Sequence, residues 1–286
     1  MRRRSTSIEW SRAAGREVGR VLLVGAGPGD PELLTLKAAR AIAQADVILI
    51  DDLVNRAVLA HARDDARVVA VGKRGGCAST SQEFIDRLMV SEALASRTVV
   101  RLKGGDPFLF GRGGEELARL LAAGIAVEVI PGITSGLAAP LAAGVSVTHR
   151  DQSPGVIFVT GHEKDESHGR VDWAVLARSG LTLVVYMGVA NAARIRKRLL
   201  DGGLPPTTPF AAVQNATLPT QRTARGSLAG MVEVLAREGI ASPAILVIGE
   251  VTRVLERWRG RTAGHAAAAP PAATREAGAA RLAGVR

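Results

Sequence analysis

VLLVGAGPGDPELLTLKAARAIAQADVILI, residues 21–50, decides the fold. VLLVG (21–25) is a short apolar run closed by glycine, the pattern of a buried strand. The glycines after it require a tight turn. Asp30-Pro31 then offers an N-cap with proline at the first helical position. Leu34, Ala38, Ala41, Ile42 and Ala45 follow at helical spacing. DVILI (46–50) is the next strand. Strand, crossover helix and strand make a parallel pair, so the expectation is an α/β fold with a mainly parallel sheet and helices on its faces.

The alternation continues through RVVAV (67–71), a helix capped by Ser81 with Phe84, Ile85, Leu88 and Met89 on one face, TVVRL (98–102), a helix around Glu115 to Ala123, and VEVI (127–130). PGITSG (131–136) interrupts it with proline and glycine and marks the expected joint between two units, 21–132 and 133–256. Beyond it, VIFVT (156–160), LTLVVYM (181–187) and AILVIG (244–249) read as strands. PFAAV (209–213) and a run near Thr220 to Ala224 read as additional ones, with helices over 172–179, 191–201 and 228–238. The segment 262–286 has eleven alanines in 25 residues and almost no large apolar side chain, so it is expected to be disordered, as is the arm 1–19.

Apolar types make up 47% of the 286 residues, ample for a buried core and against a wholly disordered chain. Cys77 is the only cysteine, which excludes a disulfide-built secreted domain. No run of about 20 apolar residues could span a membrane. The charged start lacks the apolar core of a signal peptide, so a cytoplasmic location is expected. The net charge of +10 is uneven: residues 1–20 carry +4, residues 257–286 carry +5, and residues 21–256 only +1. With aromatics at 3% and no basic body, no nucleic-acid partner is expected.

Three glycine-containing clusters lie where chemistry is expected. GAGPGDP (25–31) departs from the dinucleotide fingerprint: its third glycine comes one residue early, and Pro28 removes an amide from the loop. Asp51, at the end of the second strand, still leaves a nicotinamide enzyme open through a ribose contact. LKGGDPFLFGRGGEE (102–116) is the strongest local signal, since it follows a strand and so sits at the carboxyl edge of the sheet, where open α/β sheets bind ligands. Gly104 and Gly105 allow close backbone approach and Asp106 adds an acceptor. Glu115 and Glu116 open a helix, where acidic groups suit the dipole. In PGITSGLAAPLAAGVSVTHR (131–150), Thr134 and Ser135 either present hydroxyls or cap a helix, and His149-Arg150 emerges at a surface. No metal-ligand spacing, nucleophile elbow or Walker phosphate loop is present, so no metal is expected.

In this order, the clusters resemble the uroporphyrinogen-III C-methyltransferases of the tetrapyrrole methylase superfamily. The resemblance rests on VGAGPGDPELLTLKA (24–38), the D-x-L-V of Asp51 to Val54, GKRGG (72–76) and VVRLKGGDPFLFGRGGEE (99–116). It continues through PGITSGLAAP (131–140), THR (148–150), VTGH (159–162), VVYMG (184–188), TLPTQR (217–222) and SPAILVIGEV (242–251). It implies two α/β domains of the class III methyltransferase type, a ligand cleft between them, and a homodimer. It also implies S-adenosyl-L-methionine held by Pro28, Gly104, Gly105, Asp106, Phe110, Thr134, Ser135, Met187, Ala216 and Pro243. Asp51, Arg112, Glu115 and Arg150 would face the tetrapyrrole. The implied reaction is two methyl transfers to C2 and C7 of uroporphyrinogen III, giving precorrin-2 for sirohaem or cobalamin synthesis; the alternative is methylation of a later precorrin. Lys73, Arg74, Arg112 and Arg150 are candidate partners for the substrate carboxylates. Two departures stand out: Ile50 where the family commonly has tyrosine, and Asn215-Ala216-Thr217 in place of a more usual Gly-Thr.

Overall fold

The computed structural model describes residues 18–72, 80–162 and 171–254. Of the arm 1–19 only Val18 and Gly19 fall within them, and there the expected disorder is corrected, Gly19 N–H donating to Ala93 O at 2.8 Å; the rest of the arm, 262–286, Lys73 and Arg74 fall outside them. The first five strands, β1 (Arg20–Gly25), β2 (Val47–Ile50), β3 (Arg67–Ala70), β4 (Thr98–Lys103) and β5 (Ala126–Ile130), form one sheet in the order β3-β2-β4-β1-β5. Every pairing in it is parallel. Helices α1 (Leu36–Ala43), α2 (Gln82–Leu94) and α3 (Gly113–Ala122) connect the strands. Because helices cover both faces, alternate residues of each strand enter different cores. Leu22, Val24, Ile48, Ile50, Val100 and Leu102 pack with Ala38 and Ile42 of α1, whereas Val21, Leu23, Val47, Leu49 and Val99 pack with Ile85, Met89 and Leu120.

Two local expectations are corrected. Asp30 caps only a short 3-10 turn, Pro31–Leu33, through Glu32 N–H at 2.9 Å. Leu34 then adopts an extended conformation, and Thr35 caps α1 by accepting from Ala38 N–H at 3.0 Å. Ser81 caps α2 as expected, but Phe84 is 49% exposed. The buried stripe of α2 runs through Ile85, Asp86, Met89, Glu92 and Ala93, which turns Phe84 outward.

The second sheet holds β6 (Val156–Thr160), β7 (Thr182–Tyr186), β8 (Pro209–Gln214), β9 (Arg222–Ser227) and β10 (Ala244–Ile248) in the order β6-β7-β10-β8-β9. Only β6 and β7 pair in parallel; the other pairings are antiparallel. The mainly parallel expectation therefore holds for the first sheet alone. Here β8 and β9 follow each other as antiparallel neighbours and β10 returns between β7 and β8, neither of which needs a crossover helix. Helix α4 (Ser135–Ala142) packs on β7, β8 and β10. Helices α5 (Trp173–Ala177), α6 (Ala192–Asp201) and α7 (Met231–Arg237) contribute to the core that holds Phe210 and Leu246, and α8 (Val251–Val254) follows β10.

Candidate active site

The loops after β1 and β4 are stitched together by their backbones. Gly27 N–H donates to Gly105 O at 3.2 Å, Gly105 N–H to Gly27 O at 2.7 Å, and Ala26 N–H to Lys103 O at 2.8 Å. This approach requires glycine nearby: a Cβ on Gly132 would lie 2.2 Å from Gly105 O, and one on Gly25 would lie 2.5 Å from Gly132 N. Asp106 fixes the same junction, accepting from Phe108 N–H at 2.8 Å and Gly132 N–H at 3.2 Å. Gly104 sits beside Leu53. After Pro28, Gly29 O accepts from the Asn55 amide at 2.8 Å, and Asp30 N–H donates to Thr217 Oγ1 at 3.0 Å. That last bond ties the β1 loop to the β8–β9 connection of the other sheet.

A second junction centres on Tyr186, at the end of β7. Thr134 stands at the N-cap position of α4 but does not cap it. Its Oγ1 instead lies 2.6 Å from Tyr186 Oη, which also accepts from Gly136 N–H at 2.7 Å. Ser135, partly exposed, begins the helix. Burial pushes the Tyr186 phenol above its ordinary pKa, against the opposing pull of its bonds to Thr134 and Gly136, so it stays neutral. The Phe110 ring packs on Tyr186 at 4.8 Å between centroids. Phe110 and Met187, the residue after Tyr186, are apolar side chains left 39% and 47% exposed. Ala216 is buried, and Asn215 N–H beside it donates to Pro243 O at 3.1 Å.

Backbone strain collects at these junctions. Among the described residues, the non-glycine residues with positive φ are Ser96, Phe110, Arg112, Met187, Asn215 and Thr217. All but Ser96 lie in or beside the candidate set, a concentration typical of sites where geometry is held by function.

The charged candidates divide. Arg112, at φ 60°, precedes α3 and forks onto Glu115, with Nη2 2.6 Å from Oε2 and Nε 3.2 Å from both oxygens. Glu115 raises the guanidinium above its already high pKa. Asp51 is held by Arg101 Nη2 at 2.5 Å, with Lys103 Nζ at 3.9 Å. Arg150 is exposed in the turn closed by His149 and Ser153, and makes no side-chain hydrogen bond or ion pair with the described residues. The structure thus brings Pro28, Gly104, Gly105, Asp106, Phe110, Thr134, Ser135, Met187, Ala216 and Pro243 into one chain of contacts or sequence neighbours, with Asp51, Arg112 and Glu115 on the β2, β4 and α3 side. It does not tie Arg150 to them.

Sequence reasoning missed Tyr186 as the joint of the site, and Arg101, Lys103 and Glu116 as its buried charges. The positive φ values left no trace in residue type. The strand TVVRLK did carry a signal, because two cations alternating with apolar residues in a sheet covered on both faces must be buried. Glu116 is not an ordinary first-turn residue; it is fully buried.

Residues 20–232 match the family model described as tetrapyrrole (corrin/porphyrin) methylases. The chain is 56% identical to a uroporphyrinogen-III C-methyltransferase of Pseudomonas aeruginosa over 82% of this chain and 95% of that one. It is 48% identical to a siroheme synthase of Chromobacterium violaceum, covering 85% of this chain and 52% of that longer protein. Among solved structures, a uroporphyrin-III C-methyltransferase of Thermus thermophilus in complex with S-adenosylhomocysteine superposes with a TM-score of 0.71 at 44% identity, over 83% of this chain and 95% of that one. With the family model spanning most of both sheets and a relative this similar across nearly its whole length, the chain belongs to the tetrapyrrole methylases.

Proposed function

We propose that this chain methylates uroporphyrinogen III at C2 and C7, giving precorrin-2, with S-adenosyl-L-methionine as donor. The observation that carries the reading is the convergence of loops from both sheets on Phe110, Met187 and Ala216, with the fork-bearing Arg112 alongside. The residues suit this donor better than a dinucleotide. Pro28 has no amide, and the amides of Gly27 and Asp30 are already engaged by Gly105 and Thr217, so the loop does not offer the run of successive free N–H groups that a pyrophosphate needs. What it offers is backbone, hydroxyls and apolar side chains for a phosphate-free ligand.

When bound, S-adenosyl-L-methionine supplies a methyl group carried on a sulfonium. Pro28, Gly104, Gly105, Asp106, Phe110, Thr134, Ser135, Met187, Ala216 and Pro243 would hold it. Arg112 acts as a clamp for the acceptor's carboxylates, because a guanidinium stays protonated in proteins and offers paired donors. Arg150 adds a second cation. Of the two carboxylates that would face the tetrapyrrole, Glu115 is engaged by Arg112, so the proton acceptor is assigned to Asp51, whose carboxylate is fixed by Arg101. Holding donor and acceptor aligned contributes several kcal/mol, roughly, through proximity alone.

The site would lie in a cleft between units 21–132 and 133–256. A homodimer in the cytoplasm completes the reading. Leu137 and Leu141, four residues apart on one face of α4, are 47% and 77% exposed, an apolar face that a second copy would cover. No helix among the described residues is long and apolar enough to cross a membrane. The test is an anaerobic incubation with the donor and freshly generated uroporphyrinogen III, followed by mass analysis. A gain of two methyl groups is expected; no gain by protein that binds the donor would defeat the reading and redirect attention to later precorrins. Light scattering checks the dimer.

A further inference from the structure

Behind Asp51 lies a cluster of charge for which the chemistry above has no use. On β4, Val100 and Leu102 face the α1 core, while Arg101 and Lys103 turn to the opposite face, where α2 and α3 pack. Arg101 is 2% exposed, Lys103 4% and Glu116 of α3 0%. Glu116 Oε1 accepts from Gln82 Nε2 at 2.9 Å, Lys103 Nζ at 3.1 Å and Arg101 Nε at 3.3 Å. Its other oxygen lies 3.1 Å from the same ammonium. Arg101 then reaches Asp51, the only one of the four with appreciable exposure, at 28% of its side chain. Gln82 continues the network to Asp86 of α2, which pairs with Arg119. Asp52 lies apart, against Gly72.

Two buried cations and one fully buried carboxylate are an expensive way to fill a core, since desolvation commonly outweighs the attraction gained and apolar packing serves as well. The arrangement does accomplish something that apolar packing cannot. Lys103 sits within reach of both Glu116 and Asp51, at 3.1 and 3.9 Å. Burial and the adjacent Arg101 push its ammonium below the ordinary pKa, while Glu116 and Asp51 pull the other way. Of the two carboxylates, Glu116 lies the nearer to that charge.

We propose that Glu116 is a positioning residue for the reaction: it anchors Lys103 and the inner edge of Arg101, so that Asp51 is held by Arg101 and its carboxylate is not captured by Lys103. This rests on the reading of Asp51 as the group that meets the tetrapyrrole. Removing the charge of Glu116 releases Lys103 onto Asp51. Removing the charge of Lys103 as well leaves the Arg101–Asp51 pair as it was.

The test is a double-mutant cycle read by steady-state methylation, with S-adenosylhomocysteine affinity and Tm as controls. Glu116→Gln lowers kcat about 10- to 100-fold, the size expected when a reacting group is displaced rather than lost. Donor-product affinity and tetrapyrrole KM stay within about threefold, and adding Lys103→Met restores most of kcat, the strong non-additivity of coupled neighbours. An unchanged kcat with lowered Tm, or a loss of kcat that Lys103→Met does not relieve, means that Glu116 serves the fold alone and overturns the proposal. If Glu116→Gln yields no folded protein, Gln82→Leu keeps every charge and removes the Gln82 hydrogen bonds to Glu116 and Asp86; kcat must then fall at least about threefold at unchanged donor-product affinity, and an unaltered kcat overturns the inference. Asp51→Asn separates the two levels. If it keeps full kcat, the role of Asp51 itself fails; if it loses activity while Glu116→Gln does not, only the present inference fails.

Discussion

Arg112 and Glu115 form a fork whose guanidinium is half exposed and whose backbone is held at positive φ. Lysine keeps the charge but cannot reproduce the planar pair of donors, so Arg112→Lys should lower kcat/KM about 10- to 100-fold, with tetrapyrrole binding weakened in parallel. A loss of turnover with binding intact would move Arg112 from clamp to proton transfer. Tyr186 makes a different prediction. Tyr186→Phe leaves Gly136 N–H and Thr134 Oγ1 without their shared partner in a buried place, so it should destabilise by about 1–3 kcal/mol. Denaturant unfolding measures this, and an unchanged midpoint would mean that water replaces the hydroxyl. Residue type alone made Asp106 and Thr134 visible as candidates, because they stand in glycine-rich breaks after strands, whereas Phe110 came only through the family resemblance. Residue type could not reveal that the Thr134 hydroxyl leaves its own helix for Tyr186, since that bond spans 52 residues of sequence.

At the level of elements, the site depends on how closely three loops approach. Gly132→Ala would place a methyl group 2.2 Å from Gly105 O, a clash with backbone rather than with a movable side chain. Calorimetry with S-adenosylhomocysteine should show affinity reduced at least about tenfold, and Tm should fall in line with an overpacking cost of about 1–3 kcal/mol. Wild-type affinity would mean that the stitch between Gly27 and Gly105 does not shape the donor site. The strands were legible because buried runs such as VLLVG, VILI and AILVI follow directly from composition and glycine boundaries. Helix starts were less so: Asp30-Pro31 read as the cap of α1, but the chain turns extended at Leu34 and the helix starts anew with Thr35 as its cap. The antiparallel pairings of the second sheet, three of its four, were equally hidden, because a buried apolar strand reads the same in either direction.

Over the whole molecule, the near-neutral charge of residues 21–256 finds a use in structure as much as in binding. Arg225 donates to Thr252 O at 2.9 Å and Ala143 O at 2.6 Å, Arg222 to Glu238 O at 2.5 Å, and Arg253 to Thr207 O at 2.5 Å. These arginines cap backbone carbonyls and are thereby committed to the fold, whereas Arg112 and Arg150 are the described cations assigned to the acceptor. Deleting residues 1–17 and 262–286 should therefore keep kcat/KM within about twofold at physiological salt, where screening acts beyond about 8 Å. A collapse of activity would transfer function to the basic ends. The central claim is a double methylation at defined carbons. The most direct test is the 13C NMR spectrum of the tetrapyrrole formed anaerobically from uroporphyrinogen III and donor labelled at its methyl carbon. Labelled methyl signals at C2 and C7, and nowhere else, are predicted; label at any other ring position, or none from protein that binds the donor, would contradict the account.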